Sequence, residues 1–258
     1  MKPHLVDAIR RIADGLDGRL GCLVCDAGGA VWAAHRADER FAAASVIKVP
    51  ILAALAAEID AGMRRWDQVV PLDPCDDAAG SGVIQYLSPH AYTLRDLATL
   101  MIIVSDNRAT NLIIDLLGIE RINAYIARAG WRDTVLGRRM YDFAARAQGR
   151  ENLSTPRDLA DLFVRLLQGR LASPATSEIV LGILRAQQFR DKLPAWLPPD
   201  AAAAHKTGEL PGVQNDCGIL FLPSGPVVVA VLTSDLTRAA RGRLAVQEIG
   251  RAIVEAAA

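Results

Sequence analysis

Three short stretches hold residue types that could do covalent chemistry together: Ser45-Val46-Ile47-Lys48, Ser105-Asp106-Asn107 and Lys206-Thr207-Gly208. A serine hydroxyl is a poor nucleophile at neutral pH and needs a proton acceptor beside it. Residues i and i+3 of a helix share a face, so Lys48 is expected to reach Ser45 Oγ. Burial and neighbouring cations lower a lysine's pKa and make the amine a usable base. A serine at a helix N-terminus also meets backbone N–H groups without helical partners and the positive end of the dipole, both of which favour developing negative charge. On its own the tetrapeptide reads as a capping serine followed by a solvated lysine; the other two stretches overturn that reading.

Ser105-Asp106-Asn107 lies between two expected helices. All three residue types favour helix starts, so a capping segment is the plain alternative. In the chemical reading Ser105 relays a proton to the leaving group and Asn107 hydrogen-bonds substrate. Lys206-Thr207-Gly208 closes an expected strand. It is either a strand-end charge with a turn glycine, or a lysine that raises the local positive potential, a threonine that binds substrate and a glycine that lets the backbone come close.

The elements that must position these groups follow from periodicity. Leu5, Ile9, Ile12 and Leu16 mark a helix ending at Gly18, and Leu20–Asp26 and Ala30–Ala34 read as strands around the Gly28-Gly29 turn. A helix is expected from Ser45 to Gly62, then a loop-rich stretch over residues 71–90. Helices follow over Leu94–Val104 with Thr93 as N-cap, Arg108–Leu117, Ile119–Ala129, Pro156–Leu167 and Pro174–Gln187. Residues 131–153 show no period and many charges, which suggests an ordered functional loop. Ala202–Lys206, Val213–Leu222 and Val227–Thr233 read as strands, and Arg238–Glu255 as a closing helix. Strands cluster at both ends of the chain with helices between. That pattern predicts an α/β (α+β) fold whose sheet is built from both termini around an all-helical insertion. Residues 1–40 and 200–258 would form the α/β part, residues 41–199 the helical part, with the active-site cleft between them.

The bulk properties narrow the function. The 258 residues allow one large domain or two intimately packed subdomains. A formal net charge of +0, with no basic run interleaved with aromatics, argues against nucleic acid. No apolar segment approaches a membrane span or a signal-peptide core, so the chain as written is expected to be cytoplasmic, and periplasmic if a leader precedes it. A monomer is expected. Cys22-Leu23-Val24-Cys25 is formally a CxxC, but residues three apart in a strand face opposite sides, which favours two buried thiols over a chelate or bridge. His4, His35, His90 and His205 are scattered, no cluster has metal-ligand spacing, and neither metal nor other cofactor is expected.

In their order, the three stretches make the chain resemble the class A β-lactamase family and, more broadly, the penicillin-recognising serine hydrolases. Phe41–Val49 with Ile59-Asp60-Ala61-Gly62, Thr93–Leu97, Ser105–Asn111 and Ile249-Gly250 carry the likeness, which runs from about residue 20 to 254. The resemblance implies a three-layer α/β/α sandwich with antiparallel sheet plus an all-α subdomain. It also implies an acyl-enzyme on Ser45 formed with a β-lactam or related amide or ester. The oxyanion hole would be the backbone N–H groups of Ser45 and Glu209, with Tyr86 a wall of the cleft.

The chain departs from that family in two places. The family holds its deacylating water with a Glu-x-x-x-Asn pattern after the second motif, and Leu136–Arg146 contains none. Counting from Asn107 puts the missing glutamate near Tyr141; counting back from Pro156 puts it near Arg139. Asp142 is the nearby carboxylate, either a shorter substitute base or an ion-pair partner of Arg138 or Arg139, and Glu151 is a second candidate. The family also often carries an arginine beside the third motif for the substrate carboxylate. Here Asp216 stands near that position and Glu209 follows Gly208. Both would oppose an anionic ligand, unless Arg238 or Arg241 supplies a cation. The expectation is a serine amidohydrolase that acylates readily and deacylates by an altered route, on an amide, ester or peptide lacking the usual carboxylate or carrying an amine. The alternatives are a D-alanyl carboxypeptidase-like or biosynthetic acyl hydrolase, and a non-catalytic penicillin-binding sensor.

Overall fold

Runs of valine, alanine and leucine at both ends of the chain build one antiparallel sheet. The computed structural model describes residues 1–72, 80–88, 90–198 and 201–257; Cys75 and part of the loop expected over 71–90 lie outside them. Strands β1 (Arg19–Asp26), β2 (Val31–His35), β7 (Ala202–Leu210), β8 (Val213–Leu222) and β9 (Gly225–Ser234) lie in the order β2-β1-β9-β8-β7. Every neighbouring pair is antiparallel. The C-terminal strand β9 pairs with β1 from Arg19↔Ser234 to Asp26↔Val227, which unites the two ends of the sequence. Two-residue strands β3 (Phe41–Ala42) and β6 (Leu153–Ser154) pair with each other, as do β4 (Val69–Pro71) and β5 (Ala91–Thr93).

The central strands are buried on both faces, and each face has its own core. On one side Leu20, Cys22, Val24, Val229 and Val231 pack with Leu5, Ile9, Val246 and Ile249 of α1 (Pro3–Asp14) and α9 (Ala239–Ala257). On the other, Leu23, Cys25, Cys217, Ile219 and Ala230 join the apolar faces of α2 (Lys48–Asp60), α3 (Leu94–Ile103), α4 (Asn107–Leu117), α5 (Ile119–Arg128), α7 (Pro156–Leu167) and α8 (Pro174–Arg185). Successive side chains of a strand point to opposite faces, so Cys22 and Cys25 fall in different cores, and both are free thiols. The sandwich predicted from the sequence is the one observed.

Helix starts follow the expected capping chemistry. Thr93 caps α3 and exchanges bonds with Asp96: the Asp96 N–H donates to Thr93 Oγ1 at 3.1 Å and the Thr93 N–H to Asp96 Oδ2 at 3.2 Å. Thr155 caps α7 ahead of Pro156.

Three differences from the sequence reading bear on the site. Ser45 is the second residue of a 3-10 turn, Ala44–Ile47, and α2 begins only at Lys48. Strand β7 runs four residues past Lys206 because its ladder with β8 continues through Thr207↔Asp216, Gly208↔Asn215 and Glu209↔Gln214; a pairing partner elsewhere in the chain holds the strand extended. Within 131–153, a short helix α6 (Phe143–Ala147) forms where no period was visible.

Candidate active site

The 3-10 turn carrying Ser45 is wedged against the end strand of the sheet. A Cβ added at Gly208 would lie 3.1 Å from each of Ala43 O, Ser45 N and Val46 N; a glycine lets β7 pass this close to the nucleophile without crowding the turn. Beside it, Asn215 of β8 ties the turn down. Its Nδ2 donates to Ala42 O at 2.9 Å and Ala43 O at 3.1 Å, and its Oδ1 accepts from the Thr233 N–H at 2.8 Å. From the other direction the Ala43 N–H donates to Asn152 O at 2.8 Å. Ala44, just before the nucleophile, has φ 48°, and Ser105 has φ 56°. Neither is a glycine, so both hydroxyl sites coincide with backbone held in the left-handed region by its surroundings.

Lys48 is fully buried. Its Nζ lies 2.8 Å from Ser105 O, 3.1 Å from Ser105 Oγ and 2.9 Å from Asn107 Oδ1. The first and second motifs are thus one cluster. The hydrogen bonds of this amine go to Ser105 and Asn107, whereas spacing alone pointed it at Ser45 Oγ; the tighter 3-10 winding around Ser45 changes the helical geometry that expectation assumed. Burial, with the charge of Lys206 second, holds the amine well below the ordinary lysine range. A neutral amine has two N–H bonds and one lone pair. Of its three contacts only the Ser105 hydroxyl can donate, so in the neutral state Ser105 O–H donates to Lys48 Nζ.

Asp106, the middle residue of its motif, is a structural hub. Its Oδ1 accepts from the Ala109 N–H at 2.9 Å and caps α4, while Oδ2 accepts from Val83 N at 2.6 Å and Ile84 N at 3.0 Å. Gly82, at φ 135°, has Asp106 Oδ2 only 2.4 Å from where a Cβ would sit. The 81–84 segment is therefore pinned over the site, and Ser81 faces the same cavity as Ser45 and Ser105.

Lys206 is buried, and its Nζ donates to Thr207 O at 2.8 Å. Burial brings its pKa down to about 7, against the opposing pull of Asp216. Asp216 does not line the cavity. It is fully buried, its Oδ1 is 2.9 Å from His205 Nδ1 and its Oδ2 accepts from the Leu193 N–H at 3.1 Å. It anchors the 3-10 turn Leu193–Trp196 to the sheet, so of the two acids expected near the substrate carboxylate only Glu209 lines the cavity.

A buried cation near that end is one that sequence reasoning missed. Lys192 is buried, with Nζ 3.2 Å from Gly208 O, 3.2 Å from Asn215 O and 3.0 Å from Glu209 Oε1. Neither Arg238 nor Arg241 lines the cavity; Arg241 donates to Gly15 O at 2.8 Å, and Arg243 is the C-terminal-helix arginine at the site. A lysine flanked by Asp191 and an apolar turn gives no motif, and the helical period of α9 does not say which arginine faces the sheet edge.

Ser45, Ser81, Ser105, Thr207, Gly208 and Glu209 line one cavity of about 400 Å³. Tyr86 lies on a short 3-10 turn, 79% exposed, and is not among the lining residues. The ring of Tyr141 packs beside Gly80.

The loop expected to hold a water-activating carboxylate is closed by its own polar groups. Asp142 caps α6, its Oδ1 accepting from the Ala145 N–H at 2.8 Å. The ion pairs expected between Asp142 and Arg138 or Arg139 do not form: Arg138 pairs with Glu151 at 2.8 Å and Arg139 with Asp115 at 2.7 Å. Glu151 also pairs with Arg146 at 3.2 Å and accepts from the Asn152 N–H. Asn152 Oδ1 receives the N–H groups of Gly137 and Arg138, and Asn111 holds Met140 through both its backbone groups.

A buried lysine bonded to a second serine, both beside a serine on a strained turn at a sheet edge, defines a serine acyl hydrolase on an α/β/α sandwich. The profile of the β-lactamase enzyme family matches residues 4–257, and the chain belongs to that family. It is 31% identical to a β-lactamase of Streptomyces albus G over 96% of this chain and 84% of that protein. Among solved structures it is similar to a β-lactamase of Sphaerobacter thermophilus (TM-score 0.88, 36% identity, covering 99% of this chain and 97% of that one). It is also similar to PBP-A (TM-score 0.89, 31% identity, 98% and 95%), a single-residue mutant of which was solved as an acyl-enzyme complex with penicillin G.

Proposed function

We propose that the chain is a serine β-lactam hydrolase that forms an acyl-enzyme on Ser45 and releases it slowly. The observation that carries the first half is the convergence of Ser45, Ser105, Thr207 and Gly208 on one cavity, with the buried Lys48 amine, its pKa lowered, bonded to Ser105. In this reading the lone pair of Lys48 turns from the Ser105 hydroxyl to Ser45 Oγ and takes the Ser45 proton. Ser105, already in contact with Lys48, carries it to the departing lactam nitrogen, and Lys206 keeps the site positive. The backbone N–H groups of Ser45 and Glu209 receive the carbonyl oxygen as it gains charge. Asn107 and Thr207 hold the substrate.

The second half rests on the 136–152 loop. Its carboxylates, Asp142 and Glu151, are engaged in a helix cap and in ion pairs and are not among the residues lining the cavity, which supports a reading in which neither activates water. We read Asp142 as a capping residue. Hydrolysis then proceeds without a dedicated loop carboxylate, at a rate below that of acylation.

Mixing the protein with benzylpenicillin and following it by intact-protein mass spectrometry tests both halves. A covalent adduct on Ser45 should form in a burst and persist into the steady state. Turnover with no accumulated adduct would overturn slow release; no adduct and no hydrolysis would overturn the assignment.

A further inference from the structure

The cavity has a charged end, and this chain fills it from within. Glu209 directly follows the glycine that packs against Ser45 N, and its side chain is half exposed into the cavity. An ammonium group has three N–H donors. Those of Lys192 meet Gly208 O, Asn215 O and Glu209 Oε1, at 3.2, 3.2 and 3.0 Å. No donor remains for a ligand. Arg243, a second cation there, pairs with Asp191 Oδ2 at 3.3 Å and lies 3.8 Å from Glu209 Oε1. Arg190 also borders the cavity, on its exposed rim.

We propose that Glu209 is a built-in carboxylate that occupies the anion-accepting end of the cavity, so that the preferred substrate is an amide or ester with an uncharged group at that end. The inference rests on the β-lactam reading above and adds which β-lactams, and which related acyl compounds, are taken. A substrate carboxylate arriving at this end meets a like charge already bonded to the cation it would need, and has to displace it. An ester, amide or hydroxyl group there meets no such opposition.

The test compares benzylpenicillin with its methyl ester, by the second-order rate at which each forms the Ser45 adduct. It uses the full chain and the variants Glu209→Gln and Arg190→Gln, each checked for an unchanged melting temperature. Glu209→Gln removes the charge and keeps the backbone N–H. The unaltered protein should take the ester faster than the free acid, and Glu209→Gln should shift that ratio toward the acid by about tenfold or more, equivalent to about 1.4 kcal/mol. A preference for the free acid that Glu209→Gln leaves unchanged overturns the inference, as does one that Arg190→Gln abolishes. Adduct formation with either compound keeps the β-lactam reading intact in those cases. No adduct with either compound in any of the three proteins overturns that reading, and this inference with it.

Discussion

The surroundings of Lys48 and the loop from Leu136 to Asn152 use their polar groups in opposite ways. Around Lys48, buried groups from distant parts of the chain are aimed at one another: an amine, a hydroxyl, a backbone carbonyl and an amide oxygen within 3.1 Å. In the loop, every acid is answered by a neighbour that holds the loop itself, Asp142 by the start of α6 and Glu151 by Arg138 and Arg146. The first arrangement is suited to moving protons and the second to keeping a shape. The two halves of a hydrolytic cycle, making the acyl-enzyme and breaking it, are thus built independently, and a chain can hold the one without the usual parts of the other.

The comparison is broken most severely at the nucleophile. Ser45→Ala should remove the penicillin adduct from the intact mass and lower turnover by at least about 10⁴-fold; an adduct that survives would move the chemistry elsewhere. Next, Lys48→Met should slow adduct formation by about 10²–10⁴-fold, read by the same mass measurement, with circular dichroism showing that the fold is kept. Asn215→Ala cuts the ties to Ala42 and Ala43, and a displaced nucleophile should cost up to about 10²-fold in acylation. If acylation is untouched, the turn holds its position without Asn215.

The pH profile sharpens the same side. With Lys206 near 7 and required as a cation, the acylation rate should fall as pH rises above about 7, and Lys206→Arg should carry that limb out of the accessible range. Stability has the opposite sign. The folded pKa is depressed below the unfolded value, so from about pH 7 to about pH 10 the unfolded chain binds more protons and the fold gains stability as pH rises. Lys48 is shifted in the same direction and adds to this trend. Chemical denaturation at several pH values checks it. The smallest effect belongs to the loop. Asp142→Asn retains a good cap and should change deacylation by less than about twofold, while Asp142→Ala should cost about 1 kcal/mol of stability. A large loss of deacylation in Asp142→Asn would make that carboxylate catalytic and erase the contrast.

Much of this was legible in residue order. The motif types singled out Ser45, Lys48 and Ser105, which the fold brings close together, and the apolar runs at both termini foretold a sheet shared between them. What stayed hidden depends on pairing and packing. The extension of β7 through Gly208 is set by β8. Lys192 and Arg243 carry no local pattern and come to the site only because the turn beside Leu193 is bolted to Asp216 and because α9 faces the sheet edge. Asn215 is an ordinary strand residue until its partner across the ladder proves to be Gly208. The cap at Asp142 was obscured because a five-residue helix shows little periodicity.

The thiols on opposite faces of β1 offer a use of their own. Cys22 sits in the layer with the terminal helices and Cys25 in the layer with the catalytic helices. Alkylation pulses during denaturation, read peptide by peptide, would report which side of the protein opens first. If Cys25 is labelled before Cys22, the half that carries the chemistry loosens while the termini still hold the sheet together.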